Sequence, residues 1–107
     1  MDHLGRVLAA ASDPTRRAII DRLARGPACV TDVAAPFEMS LNAISKHVKV
    51  LEKAGVVRRA RRGRAHILEL NAAPLLDVAR WAHRYARFWN ERLDRLEAFF
   101  GSKEKKR

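Results

Sequence analysis

Residues 40–51, SLNAISKHVKVL, form the stretch that most constrains how this chain folds, because as a helix they separate into two chemically different faces. The apolar side chains recur every three or four positions, on one side: Leu41, Ile44, Val48 and Leu51. The polar side chains collect roughly 90° away: Asn42, Ser45, Lys46 and Lys49. We predict that the apolar face packs on a core. The polar face offers amide, hydroxyl and amine groups to the bases and phosphates of a nucleic acid.

The charge of the chain favours the same kind of partner. Its 107 residues include 22 Lys and Arg against 12 Asp and Glu, which gives a net charge of +10. Residues 41–71 hold eight of these cations and two acids, so +6 of the +10 lies in this segment. A strong, locally concentrated positive charge predicts a polyanionic partner. The length fits one domain with a single modest core.

Two helices are predicted before the two-faced segment. Residues 4–11 carry a short apolar stripe, and Asp13 and Pro14 then supply an N-cap and a first helical residue for a second helix. That helix is expected to end near Arg25, before Gly26. We interpret its arginines as a solvated face that pairs with nearby aspartates, with phosphate contact as the alternative: Arg16, Arg17, Arg22 and Arg25.

A helix-turn-helix is predicted from the next capping signals. Thr31 is expected to cap a helix of about two turns over residues 32–38, kept short because Pro36 lacks an N–H for the preceding turn. Ser40 is then placed to cap the two-faced helix, and Gly55 to end it. Two helices joined by a tight turn, the second with a polar outer face, are typical of this motif.

Residues 56–71 are predicted to form a basic two-stranded hairpin that turns at Arg62-Gly63, because apolar residues alternate with arginines on both sides. The apolar residues expected to face the helices are Val57, Leu68 and Leu70. Residues 61–64, RRGR, contain three like charges within four residues and no acid. We prefer a phosphate-binding tip to a merely solvated turn, because a polyanion relieves this repulsion.

Residues 74–100 are predicted to form one long amphipathic helix. At 1.5 Å per residue it extends about 40 Å, longer than the body of so small a domain, so much of its apolar surface requires a partner. A second copy of the chain is the economical choice, and packing back on its own core is the alternative. With the first helix, the residues predicted to form the dimer interface are Leu4, Leu8, Leu75, Val78, Ala82, Tyr85, Trp89, Leu93 and Leu96.

The order of these elements resembles the winged helix-turn-helix regulators of the arsenic-repressor (ArsR) family. The segments that carry the resemblance are SDPTRRAIIDRLARG at 12–26, SLNAISKHVKVLEKAGVVRR at 40–59, RRGR at 61–64 and HRYARFWNERLDRLEAFF at 83–100. The resemblance implies a mainly α protein with a small β-hairpin (α+β), ordered α-α-α-α-β-β-α and dimeric. It also implies a homodimeric repressor of transcription that binds a specific sequence of double-stranded DNA. Helix 41–54 would lie in the major groove, and wing 57–70 would contact the backbone or minor groove.

Carried over to this chain, the family's DNA-binding positions fall on the two-faced helix and the wing tip: Ser40, Asn42, Ala43, Ser45, Lys46, Lys49, Arg61, Arg62, Gly63 and Arg64. Asn42 and Ser45 are suited to hydrogen-bond base edges, and Ala43 to meet a thymine methyl group. Lys46 and Lys49 suit guanine or phosphate. His47, on the apolar side, is interpreted as a packed structural histidine.

The chain departs from the family's metal-sensing patterns. Cys29-Val30-Thr31-Asp32-Val33 resembles a Cys-Val-Cys-Asp-Leu segment, but Thr31 replaces the second thiolate, and one cysteine does not supply the ligands of a thiophilic ion. On the last helix Asp77, His83 and Glu91 lack the family's ligand spacing. We predict neither a metal nor another cofactor. Cys29 is interpreted as a small packed side chain, its redox role left open, and no effector is identified.

Other functional classes are less well supported. The sequence shows no Gly-rich phosphate loop and no nucleophile beside a base, so we do not expect an enzyme. A sequence-nonspecific nucleoid or RNA-binding protein is the main alternative, although it requires only cations where Asn42 and Ser45 stand. Without an apolar membrane span or secretion signal, a cytoplasmic location is expected. Residues 1–101 are interpreted as one domain, and residues 102–107 as a disordered basic tail.

Overall fold

The computed structural model describes the backbone of residues 2–104 and the side chains of residues 2–100. Its elements, in chain order, are α1 (His3–Ala11), α2 (Pro14–Leu23), β1 (Ala28–Cys29), α3 (Val30–Ala34), α4 (Leu41–Lys53), β2 (Val57–Arg62), β3 (Ala65–Leu70) and α5 (Ala73–Glu104). The described chain is therefore mainly helical, with a small antiparallel sheet of order β1-β3-β2. This confirms the predicted winged helix-turn-helix class.

The predicted order α-α-α-α-β-β-α lacked one element, the short strand β1. Ala28 pairs with Leu68 and Cys29 with Ile67, so β1 adds a third strand to the predicted hairpin. Two residues are too few to show the alternation by which strands are recognised in a sequence. The strand forms because the free edge of β3 offers backbone partners to an extended segment that leaves α2.

The short helix α3 begins and ends earlier than the sequence suggested. Cys29, extended by its pairing in β1, occupies the N-cap position, and no described side chain caps the helix there. Thr31, expected to be the cap, lies inside the helix, and its hydroxyl is 3.2 Å from the Cys29 Sγ. The helix ends at Ala34, just before Pro36, as the missing proline N–H requires. The amide of Phe37 then donates to the Ala34 carbonyl (3.0 Å).

Helix α2 begins at the predicted signal, because the Asp13 carboxylate accepts from the amide of Arg16 (3.0 Å) and Pro14 is the first helical residue. Its arginines have partners that the sequence did not suggest. Arg16 Nε donates to the Ala10 carbonyl (2.7 Å), and an Arg17 guanidinium nitrogen donates to the Ala11 carbonyl (2.8 Å). These carbonyls lie at the end of α1, where no later helical amide is available to them. The two arginines therefore fasten α2 to α1.

The core lies between α4, the other helices of the body and the inner face of the sheet. Ile44, Val48 and Leu51 of α4 are fully buried, which confirms the predicted apolar face at three of its four positions. Their buried neighbours come from every other part of the body: Val7, Ala10, Ile19, Leu23, Ala28, Val33, Ala54, Val56, Val57 and Leu68. The fourth predicted position, Leu41, is 49% exposed, so its assignment to the core was wrong.

Helix α5 leaves the body of the domain. Leu75 and Val78 pack against the core, whereas every described side chain over residues 82–100 is exposed. The molecule is accordingly elongated, with extents of 66 × 30 × 21 Å. The helix backbone continues to Glu104, beyond the predicted end at residue 100, and residues 105–107 of the expected tail lie outside the described residues. Within the part of the chain described, no helix is long and apolar enough to cross a membrane.

Candidate nucleic-acid interface

The ends of α4 are fixed by the residues predicted to fix them. The Ser40 hydroxyl accepts a hydrogen bond from the amide of Ala43 (3.0 Å), as an N-cap does. At the other end Gly55 adopts φ +80°, the left-handed conformation that ends a helix and favours glycine. The helix is thus thirteen residues long, and its outer face is presented in one defined register.

The polar residues of α4 are presented to solvent as the two-faced pattern predicted. Asn42, Lys46 and Lys49 are exposed, and Ser45 is partly buried one turn after Leu41. Ala43 is also partly buried. It lies on the opposite flank of the helix from Leu41 and Ser45, because residues two positions apart in a helix do not face the same way. An exposed row of amide and amine groups on a regular helix is the arrangement that fits into a major groove.

The wing, formed by β2 and β3, is a hairpin whose two-residue turn lies at Gly63 and Arg64, one residue later than the predicted Arg62-Gly63. The outermost pairs are Arg62 with Ala65 and Arg61 with His66. Gly63 has φ +62°, and Arg64 has a negative φ, the pattern of a type II′ turn, in which glycine occupies the first central position. Because side chains alternate along a strand, Arg61 and Arg62 emerge on opposite faces of the wing. His66, which no sequence motif had indicated, shares the face of Arg61.

The wing tip carries three exposed positive charges. Arg61, Arg62 and Arg64 are exposed, and in residues 2–100 none of them pairs with a carboxylate. Arg61 Nε donates to the carbonyl of Gly63 (3.2 Å), a neutral acceptor that does not cancel the positive charge. The side-chain geometry is thus compatible with the predicted phosphate contacts.

The wing is attached to α4 by a bidentate ion pair that the sequence did not reveal. Arg59 of β2 donates through Nε (3.2 Å) and a terminal nitrogen (3.0 Å) to the two carboxylate oxygens of Glu52 on α4. At the base of the wing, Asn71 Nδ2 donates to the Gly55 carbonyl (2.8 Å). Paired N–H donors hold a carboxylate in one geometry. Helix α4 and the wing are therefore positioned as one unit.

A groove of about 420 Å³ separates the start of α4 from the wing. Helix α4 contributes Leu41 and Ser45, and the wing contributes Arg64 and His66 from around its turn. Cys29 lies on the third side, where β1 meets α3. The groove thus brings together residues of the helix and of the wing tip that are far apart in sequence.

His47 connects the back of α4 to the start of α2. Its Nδ1 lies 3.1 Å from an Arg16 guanidinium nitrogen and 3.9 Å from an Asp13 carboxylate oxygen. The hydrogen bond from the Arg16 amide, helped by the nearby His47 and the Arg16 charge, lowers the pKa of Asp13 below its usual value. His47 is partly buried in this cluster. This agrees with a structural role rather than contact with a ligand.

The region of Cys29 does not gather metal ligands. Its thiol lies 3.2 Å from the Thr31 hydroxyl. In the described part of the chain no three His, Cys, Asp or Glu side chains lie close enough to hold a metal ion.

The residues predicted for dimerisation divide into two groups. Leu75 and Val78 are partly buried against the core, and Leu4 is partly buried on α1. The others are exposed and follow one face of α1 and α5: Leu8, Ala82, Tyr85, Trp89, Leu93 and Leu96. Phe88, Phe99 and Phe100, all about half exposed, extend the apolar face of α5. Large apolar side chains exposed together along one helix face indicate an interaction surface.

Comparison with known proteins identifies relatives over most of the chain. A family model described as a helix-turn-helix domain matches residues 11–60. The transcriptional repressor SdpR of Bacillus subtilis (strain 168) is 37% identical over 78 residues, which cover 73% of this chain and 87% of the relative. These matches include α4 and both of its flanking segments.

Solved structures extend the likeness to the whole architecture. A crystal structure of an ArsR family transcriptional regulator is 36% identical, with a TM-score of 0.76 over 82% of this chain and 91% of that chain. The NMR structure of a homodimeric winged helix-turn-helix DNA-binding domain from Mycobacterium bovis, a possible ArsR-family regulator, is 29% identical. Its TM-score is 0.63, over 88% of this chain and 84% of that chain. By sequence and by fold, the chain belongs to the ArsR family of winged helix-turn-helix transcriptional regulators.

Proposed function

We propose that this protein is a homodimeric repressor that binds a specific sequence of double-stranded DNA. In this proposal α4 enters the major groove and the wing contacts the backbone or the minor groove. Membership of the family makes the chain a regulator of transcription and confirms that it is not an enzyme. Residues 1–101 act as one domain in this proposal.

The observation that carries the proposal is the exposed polar face of α4 next to a basic wing held in a fixed position. Asn42, Ser45 and Lys49 offer hydrogen-bond donors and acceptors that can distinguish base pairs in the major groove. The wing arginines offer charge, which binds phosphates of any sequence. One surface therefore contains both the groups that recognise bases and the charges that bind the phosphate backbone.

The homodimer is supported by the surface of α5. Its exposed aromatic and leucine side chains lie beyond the body of the domain, where an identical helix is able to cover them. A two-fold arrangement buries the same patch of both copies. The related domain from Mycobacterium bovis is described as homodimeric, which favours the same assembly here.

Repression and location are proposed on separate grounds. The curated relative SdpR is named a transcriptional repressor, so we propose repression rather than activation. A protein that occupies an operator represses by excluding the transcription machinery from it. We propose the cytoplasm as its location, because a bacterial regulator of this kind acts where the chromosome lies.

Replacing Asn42 with alanine should weaken binding to a selected DNA sequence about tenfold, while binding to random DNA changes less than about twofold. A side-chain amide that pairs with a base edge contributes about 1–3 kcal/mol of discrimination, but it contributes little where that base is absent. Fluorescence anisotropy at one fixed salt concentration measures both affinities. Asn90→Ala, the same change at an exposed position of α5, serves as the control.

An equal loss on both DNAs would show that Asn42 does not read a base. If the unmodified protein itself bound all sequences equally, the nonspecific nucleic-acid-binding alternative would replace the proposal, since such a protein depends on its cations alone.

A further inference from the structure

We propose that Leu41 determines part of the sequence specificity, by packing its side chain against the 5-methyl group of a thymine in each half-site. The inference rests on the proposed function, because it requires α4 to lie in the major groove. It assigns a base contact to a residue whose sequence pattern had placed it in the core.

The exposure of Leu41 sets it apart from the other apolar residues of its stripe. Ile44, Val48 and Leu51 are fully buried, whereas Leu41 is 49% exposed. Leu41 is the first residue of α4 and lies one turn before Ser45, at the edge where the apolar face meets the polar face. The helix therefore presents a large aliphatic side chain beside the groups that are placed to read bases.

The surroundings of Leu41 favour DNA as the molecule that covers it. Leu41 lines the groove between α4 and the wing together with Ser45, Arg64 and His66. The groove contains no acidic side chain among its described lining residues, and Arg64 is exposed and unpaired with any described carboxylate. An apolar contact inside a positively charged groove suits a nucleic acid, which combines phosphates with apolar base edges, better than it suits an apolar protein segment.

The position along the helix also matches a base contact. Residues at the N-terminal end of a recognition helix approach the base edges most closely. The thymine methyl is the apolar group that base pairs present in the major groove, and aliphatic side chains recognise it by contact. Ala43, the sequence-based candidate for this contact, is partly buried on the opposite flank from the groove. Leu41 is exposed and longer, so it is better placed to reach the methyl group.

The test replaces each thymine of a selected binding site by deoxyuridine, one position of the half-site at a time and in both half-sites together. This change removes the methyl group and leaves the hydrogen-bonding groups unchanged. We expect one thymine position at which the replacement weakens binding of the unmodified protein about tenfold, from the loss of two methyl contacts. At that position Leu41→Ala should bind the thymine and deoxyuridine duplexes equally, within about twofold.

Val50→Ala is the matched control, because Val50 is an apolar residue of α4 that is also exposed (39%) but points away from the groove. It should keep the full preference for thymine. Both variants should unfold at nearly the temperature of the unmodified protein, because neither replaces a fully buried side chain, and thermal unfolding checks that each is folded.

Leu41→Ala retaining the thymine preference at every position would overturn the inference. An unmodified protein that binds a specific sequence but tolerates deoxyuridine throughout would overturn it too, while leaving the proposed function intact. An unmodified protein with no sequence preference would overturn both the inference about Leu41 and the proposed function.

Discussion

Leu93→Asp should convert the protein to a monomer and weaken its binding to a two-half-site operator at least about 100-fold. Leu93 is 54% exposed on α5, within the apolar face that we assign to the dimer. In a two-fold interface one substitution places two carboxylates in contact with apolar surface, which costs more than leaving each in water. Separate monomers lose the gain of binding both half-sites together, which is commonly a factor of about 10² to 10⁴.

Sedimentation velocity and anisotropy, measured on the same sample, test this prediction. Ala98→Asp adds the same charge to an exposed position on the polar face of α5, and it should stay dimeric and bind normally. Leu93 lies outside the core, so the Leu93→Asp monomer should keep its helical circular dichroism. A Leu93→Asp protein that remained dimeric would place the interface elsewhere.

Arg61→Ala, Arg62→Ala and Arg64→Ala together should weaken binding to every DNA sequence about 100-fold near 0.15 M salt. These three exposed guanidinium groups have no described carboxylate partner. Each phosphate contact releases condensed counter-ions, so its loss flattens the slope of log affinity against log salt by about one. Loss of three contacts from one wing should make the slope less steep by about three.

The matching lysine variant, with all three arginines replaced by lysine, separates charge from shape. Because lysine retains the charge, this variant should keep most of the salt slope and lose mainly the geometric part of the contact. Removing two arginines from the polar face of α5, Arg84 and Arg87, should leave the slope nearly unchanged. A slope that fell equally for these distant arginines would indicate that net charge, rather than the wing, governs binding.

The parts of the fold that the sequence predicted correctly are those controlled by neighbouring residues. Ser40 and Gly55 define α4 through local hydrogen bonding and backbone conformation, and Gly63 defines the turn of the wing in the same way. Asp13 does so for the start of α2. Each signal acts within a few residues, so it can be recognised before the rest of the chain is placed.

The parts that the sequence did not predict depend on contacts between distant segments. Strand β1 exists because β3 comes to lie beside it, and the pair between Arg59 and Glu52 exists because β2 returns along α4. Leu41 illustrates a different limit. The spacing of apolar residues shows which of them share a face, but not how far the neighbouring elements extend along the helix to cover its first turn.

Selection of bound duplexes from a random pool tests most directly whether a dimer places two copies of α4 on specific DNA. We expect one enriched inverted repeat whose half-sites are centred about one helical turn apart, roughly 10 base pairs, or a multiple of it, as a two-fold dimer requires. A pool that remained random after repeated rounds, although it bound tightly at low salt, would contradict it.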